Sequence, residues 1–253
     1  MNRDIFKLDN KVALITGASR GIGEAIAKTL AENGAQVILT SRKIDALQEV
    51  EKEITANGGK ATSIACHTGN MEQINNLFEE IKKRFGRLDI LINNAATNPF
   101  FGDVLSIDEK AWDKTVEVNF KGYFFMSQGA AKIMKEKDGG AIVNIASVNG
   151  VRPAPGQGVY SMTKAAVINM TQAFAKELAE YNIRVNAILP GLTDTKFAAV
   201  LMERRGAERT KTGNTLKRAA QPEEMAGAAL YLVSDAATYT TGTCITVDGG
   251  SLA

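Results

Sequence analysis

Two side chains that can exchange protons with a substrate stand four residues apart in Tyr160-Ser161-Met162-Thr163-Lys164. On a helix that spacing stacks the phenol and the ammonium on one face, about one turn apart. A free tyrosine titrates at about pH 10, too high for efficient acid–base work at neutral pH; a neighbouring positive charge favours the phenolate and lowers that value. Tyr160 can then give a proton to a carbonyl oxygen or take one from an alcohol. Many helices carry this spacing by chance, so Ser147 matters. It ends the apolar run Ile142–Ser147, upstream of Tyr160, where its hydroxyl can hydrogen-bond a substrate oxygen as negative charge develops there.

A second constellation is built of glycine. The stretch Thr16-Gly17-Ala18-Ser19-Arg20-Gly21-Ile22-Gly23 follows an apolar run and leads directly into helical spacing. Gly17, Gly21 and Gly23 let the backbone turn tightly and approach a pyrophosphate, while the helix N-terminus offers unpaired N–H groups and a positive dipole end. Ser19, Arg20 and Ile22 complete the loop that faces the phosphates. No Gly-Lys-Ser/Thr follows, so a nucleotide triphosphate loop is not expected. A dinucleotide site that prefers NAD carries an acidic side chain at the end of its second strand; here that strand ends Leu39-Thr40-Ser41-Arg42-Lys43, without a carboxylate. Ser41 can donate to a 2′-phosphate and the Arg42 guanidinium can pair with it, with Arg20 reaching from the other side. These residues predict NADP(H), the alternative being that Arg42 and Lys43 simply begin a solvated helix.

The elements that must position these groups can be read from periodicity. Short β-branched runs, Val12–Thr16, Gln36–Thr40, Ala61–Cys66, Asp89–Ile92, Ala141–Ile145, Arg184–Leu189 and Cys244–Val247, alternate with helical stripes such as Ile22, Ile26 and Leu30. Most runs are apolar on both faces, as strands covered by helices on both sides are. Strict alternation makes the connections crossovers and predicts an α/β fold: a Rossmann-type doubly wound sheet of seven mainly parallel strands with helices on both faces, in a single domain over residues 1–253. Asn33-Gly34 can close the first helix and Pro222 can open the last. Residues 193–220, polar and rich in Arg, Lys, Thr and Gly, interrupt the alternation just after a strand's C-terminal end. They are expected to form a substrate lid rather than a plain surface excursion.

The bulk numbers exclude more than they identify. The 253 residues carry 30 Lys and Arg against 28 Asp and Glu, a net charge of +2, without the concentrated positive charge that nucleic acids and membrane surfaces select. Cys66 and Cys244 share no motif and His67 is the only histidine, so neither a disulfide framework nor a metal site is expected. No run approaches the roughly 20 apolar residues of a membrane span, and the N-terminus lacks the apolar run of a signal peptide; a cytoplasmic location is expected.

Taken together, Thr16–Gly23, Tyr160 and Lys164 resemble the short-chain dehydrogenase/reductase family, and the likeness extends over essentially the whole chain. Asn93-Asn94-Ala95-Ala96 is similar to the family's Asn-Asn-Ala-Gly segment, with Ala96 in place of the last glycine, and Pro190-Gly191 is similar to its motif after the sixth strand. The resemblance implies that Asn119, Ser147, Tyr160 and Lys164 form the catalytic set, with Asn119 kinking its helix and holding a water that connects Lys164 to solvent. It implies that Asn94, Ala95 and Ala96 border the cofactor and that Pro190, Gly191, Thr193 and Thr195 meet its nicotinamide end, which Tyr160 and Lys164 also touch. His67-Thr68 departs from the family's usual Asp or Asn plus apolar residue at the adenine, and both are expected there, His67 as a contact and not as a catalytic base.

The substrate site should be walled by Thr97–Asp103, Val148–Gly158 and the lid, with Phe100, Ser147, Asn149, Val151 and Tyr160 touching substrate. Asn98-Pro99-Phe100-Phe101-Gly102 is similar to NADPH-dependent carbonyl reductases of the family, and Phe100, Phe101 and Val151 suit an apolar ketone or aldehyde. The runner-up is reduction of a 3-oxoacyl group on an acyl carrier protein, an acidic partner that a basic rim of Arg152, Arg204, Arg205, Arg209 and Lys211 would favour. The alternative of another class is a catalytically silent NADP(H)-binding regulator, which would have no chemical need for the four-residue set. Relatives commonly form tetramers through helices equivalent to Asp108–Lys135 and Tyr160–Glu180. The crowding of Phe120, Tyr123, Phe124 and Phe125 on one segment fits a second buried surface, so a homotetramer is expected.

Overall fold

Strand β1 (Val12–Thr16) is buried along its whole length and organises the molecule. Its alternate side chains point to opposite layers, because successive Cβ atoms of a strand do. Ala13 and Ile15 pack in one cluster with Ile26 and Leu30 of α1 (Gly21–Glu32) and Leu47 and Val50 of α2 (Ile44–Ala56). Val12 and Leu14 pack in another with Ile74 and Leu77 of α3 (Met71–Phe85). The computed structural model describes residues 3–199 and 213–253.

β2 (Gln36–Ser41) and β4 (Ile90–Asn93) flank β1, β3 (Lys60–Ala65) lies outside β2, and β5 (Gly140–Ile145), β6 (Ile183–Pro190) and β7 (Cys244–Val247) follow β4. The order is β3-β2-β1-β4-β5-β6-β7, and every strand pairing in this sheet is parallel. Helices α1, α2 and α7 (Glu223–Val233) cover one face; α3, α5 (Gly122–Met134) and α6 (Gly158–Glu177) cover the other. The strand order turns at β1, between β2 and β4, and that reversal opens a crevice beyond the strands' C-terminal ends. This is the Rossmann-type α/β architecture that the sequence predicts.

The differences from the sequence expectation are at strand ends. β2 runs on to Ser41, β3 stops at Ala65, and β6 spans Ile183–Pro190. Cys66 leaves the edge of the sheet with its N–H still donating to Ser41 O at 2.9 Å. The predicted helix signals act as expected: Asn33 is the C-cap of α1, Gly34 follows with φ +99°, and Pro222 is the N-cap of α7. Residues 200–212, the middle of the expected lid, lie outside the described residues, and so do Arg204, Arg205, Arg209 and Lys211. The described flanks of this segment are tied to each other, Asp194 N donating to Ala220 O at 2.8 Å and Ala220 N to Leu192 O at 2.9 Å. Among the described residues, no helix is long and apolar enough to cross a membrane.

One close approach sets the geometry of the β1–α1 turn. A Cβ at Gly23 would stand 2.4 Å from Asn94 Nδ2 and 2.5 Å from Gly17 O, which real side chains do not tolerate. Gly23→Ala should therefore destabilise the fold by about 1–3 kcal/mol, the usual cost of overpacking, measured as a lower urea midpoint with unchanged slope. An unshifted midpoint would show that the turn relaxes freely.

Candidate active site

The glycine turn is held from behind by β4. Thr16 Oγ1 accepts from Asn94 N at 2.8 Å and from Ala95 N at 3.0 Å, and Asn94 Nδ2 donates to Thr16 O at 2.9 Å and Gly17 O at 3.2 Å. Gly17, at φ +65°, donates its N–H to Thr40 O at 2.7 Å. The side chain of Asn94 is thus committed to the loop, so what it can offer a ligand is placement. At the start of α1 the cap residue Arg20 makes no side-chain capping bond, which leaves the first N–H groups of the helix available to an anion.

These groups open onto one cavity of about 730 Å³, within the usual size range of ligand sites. The structure brings most sequence-predicted residues to its wall: Gly17, Ser19, Arg20, Gly21 and Ile22 from the loop, Ser41 and Arg42 from β2, and His67 and Thr68 from the end of β3. Asn94, Ala95 and Ala96 follow β4, Pro190, Gly191, Thr193 and Thr195 follow β6, and Ser147, Asn149, Tyr160 and Lys164 complete the lining. Arg20, Arg42, Lys43, Lys114, Lys164 and Lys196 line it with no carboxylate among the described residues. That donor set fits a ligand carrying several phosphate charges.

Besides Phe101, four expected residues do not reach the wall. Gly23 serves packing, as above. Phe100 folds back on its own loop, its Cζ lying 2.9 Å from where a Cβ of Gly102 would stand. Val151 is 58% exposed. Phe101 packs against Gly156, and Gly102 N donates to Gly156 O at 3.0 Å. The apolar lining expected of Phe100, Phe101 and Val151 is therefore not formed in this structure, where the Gly102–Gly156 backbone bond turns the loop away from the cavity. Asn119 is the fourth. It is buried in a π-helical turn, Glu117–Lys121, between α4 (Glu109–Val116) and α5. Such turns widen a helix and often mark functional sites. Its Oδ1 accepts from Thr97 N at 2.8 Å, and its Nδ2 donates to Thr97 O at 2.8 Å and Thr163 Oγ1 at 3.3 Å. Through these bonds Asn119 pins the loop after β4 to α6.

The chemistry concentrates at the start of α6. Tyr160 and Lys164 share a face there, both buried. Burial pushes the Tyr160 phenol up to about 12, partly offset by a hydrogen bond with Ser147. Burial pushes Lys164 down to about 7. Lys164 Nζ donates to Ile145 O at 2.7 Å and to Tyr123 Oη at 3.3 Å, and lies 5.7 Å from the centre of the Tyr160 ring. In this structure the amine meets the carbonyl at the end of β5, and burial is the dominant influence on the Tyr160 value. Tyr160 is accordingly a neutral phenol at neutral pH, ready to donate. Phe197 lies against its ring, centroids 5.9 Å apart.

His67 sits at the other end. Its Nδ1 accepts from Gly69 N at 2.9 Å, and Nε2 meets Lys114 Nζ at 2.8 Å, which in turn pairs with Glu117 at 3.0 Å. Burial and the nearby Lys114 charge lower its value, so the ring is neutral. Lys114 and Tyr123 were not expected at the site and arrive through tertiary packing, whereas Gln157 and Phe197 fall within the expected walls 148–158 and 193–220 without having been singled out.

Comparison with known proteins agrees with this geometry. A family model described as enoyl-(acyl carrier protein) reductase matches residues 17–251. The chain is 38% identical to human dehydrogenase/reductase SDR family member 4, over 96% of this chain and 88% of that protein. It is 39% identical to the 3-oxoacyl-[acyl-carrier-protein] reductase of Thermotoga maritima, over 96% and 98% of the two chains. A crystal structure of a 3-oxoacyl (acyl-carrier-protein) reductase from Agrobacterium tumefaciens C58 with NADP bound superimposes with a TM-score of 0.92 at 35% identity, covering 99% of this chain and 98% of that one. The chain belongs to the short-chain dehydrogenase/reductase family. It is an oxidoreductase of the kind that works between C–OH and C=O with a nicotinamide dinucleotide.

The buried amine gives a test independent of turnover. With a folded value of about 7, Lys164 binds fewer protons folded than unfolded between pH 7 and about 10.4, so folding stability gains from rising pH across that window. The stability of wild type relative to Lys164→Met should therefore improve steadily from pH 7 to 10, measured by urea unfolding of the cofactor-free proteins. A pH-independent gap would mean that the amine titrates at its ordinary value.

Proposed function

We propose that this protein is an NADP(H)-dependent carbonyl reductase, reducing a ketone or aldehyde, or oxidising the matching alcohol, with Tyr160 as general acid/base. The observation that carries the cofactor reading is the cavity wall beyond β2, where Ser41, Arg42 and Lys43 stand with Arg20 and no carboxylate among the described residues. The NADP in the Agrobacterium tumefaciens relative supports it. When bound, the dinucleotide supplies the hydride. Arg20 and Arg42 hold its 2′-phosphate, the α1 N-terminus its pyrophosphate, and Pro190, Gly191, Thr193 and Thr195 border its reactive end. Ser147 hydrogen-bonds the substrate oxygen, and the neutral Tyr160 phenol gives that oxygen its proton as charge builds. Lys164 would hold the dinucleotide's nicotinamide ribose. All of these residues belong to a single domain; the middle of the lid expected over 193–220 lies outside the described residues.

A second reading, reduction of a 3-oxoacyl group on an acyl carrier protein, is favoured by the similarity to the Thermotoga maritima enzyme. A silent regulator is disfavoured by the convergence of Ser147, Tyr160 and Lys164 on one cavity. A cytoplasmic homotetramer fits the apolar groove between α5 and α6, where Phe120, Phe124, Phe174 and Tyr181 face outward together.

Arg42→Asp removes the guanidinium and adds a carboxylate that repels a 2′-phosphate but can accept from a 2′-hydroxyl. The ratio of NADPH to NADH efficiency should fall at least about tenfold; an unchanged ratio would place the 2′-phosphate elsewhere. Tyr160→Phe keeps the ring, so folding and NADPH binding survive while turnover drops by about 10²–10⁴-fold, as for other lost general acids. Retention of more than about a tenth of wild-type turnover, with hydride transfer shown to be rate-limiting by a deuteride isotope effect, would remove Tyr160 from this role.

A further inference from the structure

Beyond the end of β3 the cavity wall carries an ammonium that is short of acceptors. Lys114 of α4 lines the cavity together with His67 and Val118. Its Nζ donates to Glu117 Oε2 at 3.0 Å and lies 2.8 Å from His67 Nε2. The second contact does not satisfy it. His67 Nδ1 accepts from Gly69 N at 2.9 Å, so in the neutral ring the proton sits on Nε2 and faces the ammonium, donor against donor. The backbone of His67 is engaged as well, its N–H with Gln73 Oε1 and its carbonyl with Asn70 N, both at 2.8 Å. An ammonium has three N–H groups, and for Lys114 the one acceptor among the described residues is Glu117.

What a bound dinucleotide would bring there follows from the strand order. Ser41 and Arg42, read above as the 2′-phosphate site, end β2; β3 lies outside β2, and Cys66 N donating to Ser41 O at 2.9 Å sets His67 beside them. The 2′ carbon of a ribose adjoins the carbon that carries the base. A phosphate held at the end of β2 therefore leaves the purine to His67, Lys114 and Val118, with its far edge, ring N1 and the group on carbon 6, away from the sugar. Val118, apolar and buried, suits a flat ring. The phosphate itself suits this spot poorly, because the Glu117 carboxylate that pairs with Lys114 would repel a dianion. An ammonium facing a purine edge favours acceptors; oxygen on carbon 6 accepts, whereas an amino group there donates.

We propose that Lys114 reads the base of the dinucleotide: its ammonium donates to the far edge of the purine, so that the site accepts a 6-oxopurine as readily as adenine. This rests on the NADP(H) reading above. With adenine the acceptor is ring N1; with a 6-oxopurine it is the oxygen, and the flexible lysine stem spans the small difference. A carboxylate in its place would accept from the amino group and reject the oxygen.

NADPH and its hypoxanthine analogue, deamino-NADPH, carry the same charge and the same fluorescent nicotinamide. The ratio of their dissociation constants, from fluorescence titration without substrate, therefore isolates the base. Wild type should bind deamino-NADPH no more than about threefold more weakly than NADPH. Lys114→Met leaves Glu117 at that edge without its cation, so the ratio should move by at least about fivefold in favour of NADPH. If methionine crowds the purine, Lys114→Ala should give the same shift. The relative affinity for NADPH and NADH should not change in either variant, because the two share the base. A larger wild-type preference for NADPH over deamino-NADPH, or a smaller shift in both variants, overturns the base-reading role alone. A loss of NADPH affinity relative to NADH with the base ratio unchanged also overturns it, and makes Lys114 a phosphate ligand. Wild type that binds neither phosphorylated cofactor more tightly than NADH overturns the inference together with the NADP(H) reading.

Discussion

An amine withdrawn from water must find its acceptors inside the protein, and at Lys164, 1% exposed, three elements meet, two of them supplying those acceptors. β5 contributes the carbonyl of its last residue, Ile145, at 2.7 Å; α5 contributes the Tyr123 hydroxyl at 3.3 Å and its ring face at 4.9 Å; α6 contributes the lysine itself. A buried charge short of such partners is costly enough to neutralise itself or unfold its surroundings. The register of α6 against β5 and α5 is therefore fixed by this contact, and with it the place of Tyr160 one turn earlier. The same desolvation acts with opposite sign on the pair, raising the phenol and lowering the amine. Both groups are thus pushed toward their neutral forms, and a hydroxyl or charge delivered beside them by a ligand has strong leverage in so dry a site.

Beneath that contact runs a chain of side-chain hydrogen bonds that apolar packing could not replace. Asn93 and Asn144 are directly paired residues of β4 and β5. Asn93 Nδ2 donates to Asn144 Oδ1 and to Ser127 Oγ of α5, both at 2.9 Å, and Asn144 Nδ2 donates to Thr171 Oγ1 of α6 at 2.9 Å. Helices resting on a parallel sheet through Val, Ile and Leu alone can shift by fractions of an ångström at little cost, since dispersion is not directional. Donor–acceptor pairs tie α5 and α6, the helices carrying Tyr123 and Lys164, to the strands whose ends form the site. Asn119 does the same for the loop after β4 through Thr97 and Thr163.

What could be read from the chain follows from which interactions are local. Each strand was visible because a helix-covered parallel strand must be apolar on both faces, and the glycine turn because only glycine allows Gly17 its φ of +65° and Gly23 its approach to Asn94. Tyr160 and Lys164 were visible because helical spacing fixes their common face. Where side-chain direction depends on a loop's own folding, the reading failed: Phe100 and Val151 follow strand and helix ends, yet nothing periodic decides whether they turn inward. Lys114 and Tyr123 were missed for a different reason. Their partners, His67 and Lys164, lie far away in sequence, so only the assembled sheet brings them together. The bond from Lys164 to the Ile145 carbonyl was not legible because its acceptor is a backbone carbonyl, which no side-chain pattern encodes.

The division of charge along the cavity gives these parts a common logic. One end gathers Arg20, Arg42 and Lys43, suited to a ligand whose negative charge is permanent. The other presents Ser147, the neutral Tyr160 and the Asn149 and Gln157 amides, suited to an oxygen whose charge is transient. If the cationic wall reached that oxygen, the wall alone would stabilise an alkoxide, and a proton donor would gain little. Under the proposed mechanism, neutral donors would instead make proton delivery from Tyr160 the step that quenches the charge, in a setting where preorganised hydrogen bonds are strong because water is scarce. Lys164, held near neutrality by burial at the boundary of the two ends, is placed where the arrival of the permanently charged ligand can influence the group that handles the transient one.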